Sequence, residues 1–222
     1  MRLLYHYPLS PYARKVRLVL SEKRLPFELR IEKPWERRAE YLDLNPAGEV
    51  PTLVEDNGFA VPDAAVICEY LEEAYPDTGM LGETLAERVE VRRLVCWFDG
   101  KFSTEVTDNL LGEKILKRLA GSGHADAGAL RVGYVALGHH LEYLGWLAEN
   151  RKWLAGPNIS LADFTAAAHL STLDYSGDVE WKKAPAVREW YARIKSRPSF
   201  RAILADKVPG FNAAPHYADL DF

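Results

Sequence analysis

The stretch Pro62-Asp63-Ala64-Ala65-Val66-Ile67-Cys68-Glu69-Tyr70-Leu71 reads as the start of a helix, with Asp63 placed to cap it and an apolar stripe behind. A helix N-terminus gathers unpaired N–H groups and the positive end of the helix dipole, so it is a natural place for a small anion. A helix end that grips a carboxylate usually adds a Ser or Thr hydroxyl, and here the next residue is Ala64. Ser10-Pro11 is a second helix start. Ser10 can cap, and Pro11 sits at the first turn, where a missing N–H costs little. Ser160-Leu161-Ala162-Asp163 has the S-x-x-[DE] form of a capping box, which accounts for both polar residues structurally.

Other chemistry is sparse. His139 and His140 are adjacent on a predicted helix and point apart, and His6, His124, His169 and His216 have no ligand spacing, so no metal is expected. The basic groups Arg88, Arg92, Arg93 and Lys114, Lys117, Arg118 are interleaved with acids and read as solvated helix faces. Most of the six tryptophans read as core or domain-seam residues, whereas Trp35 lies in a predicted loop between Pro34 and Glu36-Arg37-Arg38. That composition suits an interface anchor. The other reading folds Trp35 back over the sheet edge, and both stay open.

These residues need elements to hold them. The first eighty residues alternate strand and helix patterns. Strands are predicted at Leu3–Tyr7, Pro26–Ile31, Val50–Glu55 and Phe59–Val61, the last two joined by the Asp56-Asn57-Gly58 turn. The helix around Lys15–Lys23 puts Val16, Val19 and Leu20 inward, with Arg14, Lys15, Arg17 and Lys23 outside. This order predicts an α/β domain with one mixed sheet over 1–76 and a linker over 77–83. An all-helical domain over 84–207 has runs near 84–120, 126–150, 161–176, 184–196 and 198–206. An extended tail covers 208–222.

Composition bounds the function. The chain has 222 residues, 48% hydrophobic and 27% charged, with net charge -4, which gives no bulk basicity for nucleic acid. Cys68 and Cys96 are far apart among apolar residues and read as buried thiols of a reducing compartment. No stretch approaches the roughly 20 apolar residues a membrane span needs, and the N-terminus has no apolar run like a secretory signal. A cytoplasmic protein without direct membrane insertion is expected.

Four segments, Ser10-Pro11 before KVRLVLSEK, then NPAGEVPTL, PDAAVICEYLEEAYP and GPNISLADFTAA, occur in an order and at spacings that resemble the glutathione S-transferase fold family over almost the whole chain. The resemblance implies a thioredoxin-like N-terminal domain, an all-α C-terminal domain, a cis Val50-Pro51 peptide and commonly a homodimer. It also implies a glutathione site. Asp63 matches the acid of the glutamyl-binding pair, and Ala64 stands where Ser or Thr is usual. Val50, next to Pro51, would pair its backbone with the tripeptide, and Ser10 would stabilise the thiolate. Glu49 falls where many members carry Lys or Gln. Two departures thus fall on the ligand's two carboxylates, so the site reads as weakened and vestigial, and the cap is the favoured reading of Ser10.

Longer segments, KPWERR, LVCWFDGKFSTEVTDNLLGEKILKRL, LDYSGDVEWKKAP and PHYADLDF, resemble a bacterial group of glutathione transferase-like cell-division proteins that bind the tubulin homologue FtsZ. That resemblance implies a dimeric, non-catalytic binding protein of FtsZ filaments at the division site, which regulates constriction and needs no cofactor. The alternative is an active transferase that uses Ser10 and glutathione. Candidate partner contacts are Trp35, Arg37 and Arg38, and the tail residues Asp219, Asp221 and Phe222. Tyr217 is expected to pack down while the tail acids meet a second division protein.

Overall fold

In the computed structural model, which describes residues 1–220, the chain divides into two compact units, with the boundary between Gly79 and Met80. Among the described residues the first unit holds one four-stranded sheet, in the order β2-β1-β3-β4. Its strands are β1 (Arg2–His6), β2 (Phe27–Ile31), β3 (Thr52–Val54) and β4 (Ala60–Pro62). β1 and β2 run parallel through the crossover helix α1 (Pro11–Glu22), while β1–β3 and β3–β4 are antiparallel. A short α2 (Ala39–Leu42) follows β2, and α3 (Ala64–Ala74) closes the unit.

α1 departs from expectation. Arg14, Lys15, Arg17 and Lys23, predicted to lie outside, are all buried. Their heads have work inside. The Arg14 Nε donates to the Pro8 carbonyl at 2.7 Å. The Lys23 Nζ pairs with Glu72 at 2.7 Å and donates to the carbonyls of Tyr75 (2.8 Å) and Thr78 (2.7 Å). One ammonium thereby satisfies carbonyls that the end of α3 leaves open. Hydropathy cannot anticipate this, because it scores a lysine by its charge and not by its partners.

The second unit is helical. α4 (Leu85–Cys96) opens on a capping box in which Thr84 Oγ1 accepts from the Glu87 N–H and Glu87 Oε2 accepts from the Thr84 N–H. The rod then continues through Trp97–Leu116, wound wide in π fashion, so that the Lys117 N–H reaches back to the Gly112 carbonyl, and ends in α5 (Lys117–Leu119). α6 (Ala127–Asn150) is capped by Asp126, which accepts from the Ala129 N–H at 2.7 Å. It packs on this rod at Gly133, where a Cβ would come within 2.9 Å of Asn109 and Leu110 side-chain atoms. α7 (Leu161–Ser176), α8 (Pro185–Lys195) and α9 (Arg201–Leu204) complete the unit. Cys68 is buried as expected, but Cys96, on the open side of α4, is exposed. Trp181 and Trp190 are core residues, whereas Trp146 on α6 is 53% exposed.

The capping box at Ser160–Asp163 forms and does more than cap. The fully buried Asp163 carboxylate accepts from the Ser160 N–H (3.0 Å), the Ser160 hydroxyl (3.1 Å), the Leu154 N–H (2.9 Å) and the Trp190 indole N–H (2.9 Å). It joins α7, the preceding loop and α8 at one point. Removing it orphans buried donors. Asp163→Ala is therefore expected to cost on the order of 3 kcal/mol or more. Urea unfolding of the purified protein measures this, and an unchanged midpoint would remove Asp163 from its place at the centre of the unit.

Glu90 makes a second tie. On α4 it accepts from Arg93 (2.7 Å) and from Arg151 (2.6 Å), which lies beyond α6. The Arg93 hydrogen bonds, followed by those of Arg151 and opposed by burial, hold its carboxyl down to about 2 from an ordinary 4.5. A depressed carboxyl stabilises the fold fully above its ordinary value and loses that contribution as pH falls toward 2. Screening leaves roughly 1–2 kcal/mol. The wild type should lose this extra stability between about pH 4.5 and 2, and Glu90→Gln should lack that component. Parallel pH–stability curves for the two proteins would contradict the assignment.

Candidate functional site

The helix end that opened the sequence analysis is the N-terminus of α3. Asp63 stands there at φ 72°, a left-handed value uncommon for a non-glycine residue. Its Oδ1 accepts from the N–H groups of Ala65 (2.7 Å) and Val66 (3.2 Å). Asp63 is thus an N-cap that neutralises two of the donors of its own helix. The Ala64 N–H takes no partner among the described residues, and the Ala64 side chain, buried and without a hydroxyl, adds nothing polar.

The loop before β3 supplies the neighbouring groups. Val50-Pro51 is cis. The loop is held from beneath: the Tyr41 hydroxyl and the Asn45 Nδ2 (2.8 Å) both donate to the Glu49 carbonyl, and both reach Thr52 Oγ1. Burial pushes the Tyr41 phenol up, so it stays a neutral donor. The Val50 backbone N–H and carbonyl take no partner among the described residues, while the Glu49 side chain points to solvent. Ser10 caps α1, its Oγ accepting from the Ala13 N–H at 3.2 Å. Accepting there leaves its proton available to donate, so the cap does not chemically forbid a bond to a thiolate.

Glutathione offers two carboxylates, an amine and a peptide backbone. The N–H of Ala64 and the backbone of Val50 fit such a ligand. The side chains of Ala64 and Glu49 do not, because one lacks a donor and the other brings like charge. What the site retains is backbone chemistry. Tyr41 and Asn45, which hold the loop, were not singled out from sequence, although the Asn-Pro-Ala-Gly run marks their turn.

Trp35 lies in a single helical turn, Pro34–Glu36, half-buried with its ring edge-on to Tyr7 at 4.9 Å. It is neither core nor free. Arg37 is exposed at φ 44°, but Arg38 is committed to the buried Glu32, with Nη2 at 2.6 Å. The tail is not one extended strand. The Ala214 N–H donates to the Tyr175 carbonyl (2.8 Å), the Tyr217 ring packs on Tyr175 and its hydroxyl donates to the Ile203 carbonyl (3.2 Å). A turn then carries the Asp219 N–H to the His216 carbonyl, leaving the side chains of Asp219 and Leu220 exposed. The predicted contacts Asp221 and Phe222 lie outside the described residues.

A thioredoxin-like mixed sheet with this loop, followed by an all-helical unit, defines a glutathione transferase-type protein. The family model for the glutathione S-transferase N-terminal domain matches residues 4–79, and that for the C-terminal domain matches residues 136–207. The chain belongs to the glutathione S-transferase family. It is 50% identical over 224 residues to the FtsZ-localized protein A of Caulobacter vibrioides, covering 100% of this chain and 98% of that protein. The solved structure of FzlA from C. crescentus superposes with a TM-score of 0.97 at 50% identity, covering 100% of this chain and 99% of that one. A glutathione S-transferase from Rhodospirillum rubrum F11 matches at 0.98 and 52% identity over the full length of both chains.

Restoring the two missing contacts tests the reading of the site. A hydrogen bond to a charged group is worth roughly 1.5–3 kcal/mol. Ala64→Ser is therefore expected to raise glutathione affinity about 10- to 100-fold, and adding Glu49→Lys to raise it further, as measured by titration calorimetry. No change would show that these two side chains are not what sets affinity.

Proposed function

We propose that this chain is a cell-division protein on a glutathione transferase fold, acting at the division site as a homodimer that binds FtsZ filaments and regulates constriction. The observation that carries the reading is full-length 50% identity to a protein named for its localisation with FtsZ. The anion site supports it, since the side chains that would hold a tripeptide's carboxylates are replaced by Ala64 and Glu49 while the fold is kept. In this reading no cofactor is used and the protein is not an enzyme.

A two-fold dimer would present each surface twice and bridge neighbouring subunits or filaments, gaining avidity without new contacts. Exposed apolar side chains suit an interface between copies. Phe59 and Val66 lie on the first unit, and Leu85 and Val89 on the second. Filament contact is assigned to Trp35 and Arg37, with Arg38 holding the segment in place through Glu32. Asp219 and the chain end beyond it are assigned to a second division protein. The other reading is an active transferase, and the specific observation favouring it is that the Ser10 proton and the Val50 backbone remain available.

Cosedimentation with polymerised FtsZ, run beside glutathione conjugation of a standard electrophile, separates the two. Pelleting with filaments and no conjugation above background is expected. The converse result replaces the proposal with the transferase. Trp35→Ala should weaken pelleting by on the order of 2 kcal/mol, with only a modest fall in melting temperature from the lost Tyr7 contact. A large fall in melting temperature with normal pelleting would return Trp35 to the core.

A further inference from the structure

The second unit carries an open groove of its own. It has a volume of about 600 Å³ and runs between α6 and the start of α8. Its floor is made of small or apolar residues: Gly138 and Gly145 on α6 face Ala184 and Val187. A Cβ at Gly145 would sit 3.8 Å from Val187 Cγ2, and one at Gly138 would meet nothing within 4 Å. These two glycines, seven residues apart and so on one face, open the groove.

Two aromatic side chains bracket it. Tyr134 is 43% exposed and Trp146 is 53% exposed. Tyr134 is not loose. Its hydroxyl donates to Asp178 and accepts from Lys114, both at 2.6 Å, and the Lys114 ammonium lies 5.1 Å from its ring centre. Trp146 has the Arg151 guanidinium 6.0 Å from its ring. Held aromatic walls around an apolar floor are the usual make-up of a peptide-binding groove, because little side-chain freedom remains to be lost on binding.

The rim is acidic. Asp178 is balanced by Lys114, and Glu180 by Lys183 at 2.7 Å. Glu142 and Glu149 are exposed and have no ion-pair partner among the described residues. They also lie seven residues apart on α6, which spaces them by about 10 Å along the helix. A polyproline-type chain rises about 3.1 Å per residue and brings every third side chain to the same edge, so cations at i and i+3 lie about 9 Å apart. Beyond Glu149 the surface continues into a depression lined by Arg151, Lys152 and Arg193 beside Glu149 and Glu189, so the acidic rim gives way there to mixed charge that does not favour a longer basic segment.

We infer that this groove is a docking site for an extended basic segment of a partner protein, with two cationic residues three apart pairing with Glu142 and Glu149 and an apolar side chain between them lying over Gly138 and Gly145. This surface goes beyond the filament reading and does not require it. The test uses a synthetic peptide, acetyl-Ala-Arg-Leu-Pro-Arg-Leu-Ala-amide, titrated into the full chain and followed by calorimetry. A second peptide replaces both Arg by Glu, and a third replaces both Leu by Gly. The first should bind, the second should not bind measurably, and the third should bind at least 10-fold more weakly. Glu142→Lys with Glu149→Lys should abolish binding of the first peptide and permit binding of the second. Gly138→Leu fills the floor where nothing crowds it and removes a helix-interior glycine, so it should leave the melting temperature equal or higher while weakening the first peptide at least 10-fold. If the first peptide does not bind at millimolar concentration, or the acidic peptide binds the wild type as well, the inference is overturned. It is overturned equally if neither the charge-reversed nor the filled variant changes the affinity.

Discussion

The second unit depends on a helix with no exposed face. Every residue of α7 from Leu161 to Tyr175 is buried. A helix in that position cannot leave a polar group without a partner. The hydroxyls of Thr165, Ser171 and Thr172 turn back to carbonyls of their own helix. The two aspartates gather donors from elsewhere. Asp163 binds the loop and α8 at one end. At the other, Asp174 accepts from the Trp181 indole, the Tyr191 hydroxyl and Lys195 Nζ, and meets the His216 ring at 3.0 Å. Burial pushes the Lys195 ammonium down, with Asp174 opposing. Breaking such a set leaves charge and donors stranded in a low dielectric, so each member positions the others.

That arrangement decides which surfaces are rigid and which are free. α8 is fixed through Trp190 and Lys195, and α6 lies on the long helical rod, so the walls between α6 and α8 hold their spacing. The tail is fastened as far as Tyr217, by His216 on Asp174 and the Tyr217 ring on Tyr175, and only after that does it turn outward. The tail was read from sequence as extended over 208–222. Among the described residues it departs from that at Pro215, where the hydrogen bond from the Asp219 N–H to the His216 carbonyl closes a turn.

Much of the fold was legible because it rests on local chemistry. The Asp56-Asn57-Gly58 turn, Pro11 in the first turn of α1 and the Ser160–Asp163 box each set an element boundary within a few residues. The mixed sheet followed from the order of patterns, and the cis bond from the family resemblance. Long-range pairing was not legible. Buried Arg14 and Lys23 were read as exposed, since only the folded chain supplies the carbonyls and carboxylate that satisfy them. Arg38 was read as a partner contact, and its ion pair with the buried Glu32 is a further role that composition does not reveal. Cys96 was read as buried from apolar neighbours, but a helix turns every residue by about 100°, so neighbours in sequence say little about which face a side chain occupies.

The candidate site at the start of α3 shows why family membership alone leaves its use undecided. Its backbone part is inseparable from the fold. The Asp63 cap is what starts α3, and the loop bearing Val50 is held by Tyr41, Asn45 and Thr52, which also anchor β3. Any chain that folds this way presents the same N–H and carbonyl groups, whether or not a ligand is ever bound. Selection on folding alone would preserve them. Side chains with no polar role in the fold report on ligand use, and Ala64 and Glu49 are such positions. Ala64 is buried in the core and Glu49 is exposed, neither caps or pairs with its side chain, and both lack the chemistry a tripeptide carboxylate needs. These two residues therefore bear on ligand use in a way that the well-preserved geometry around them does not.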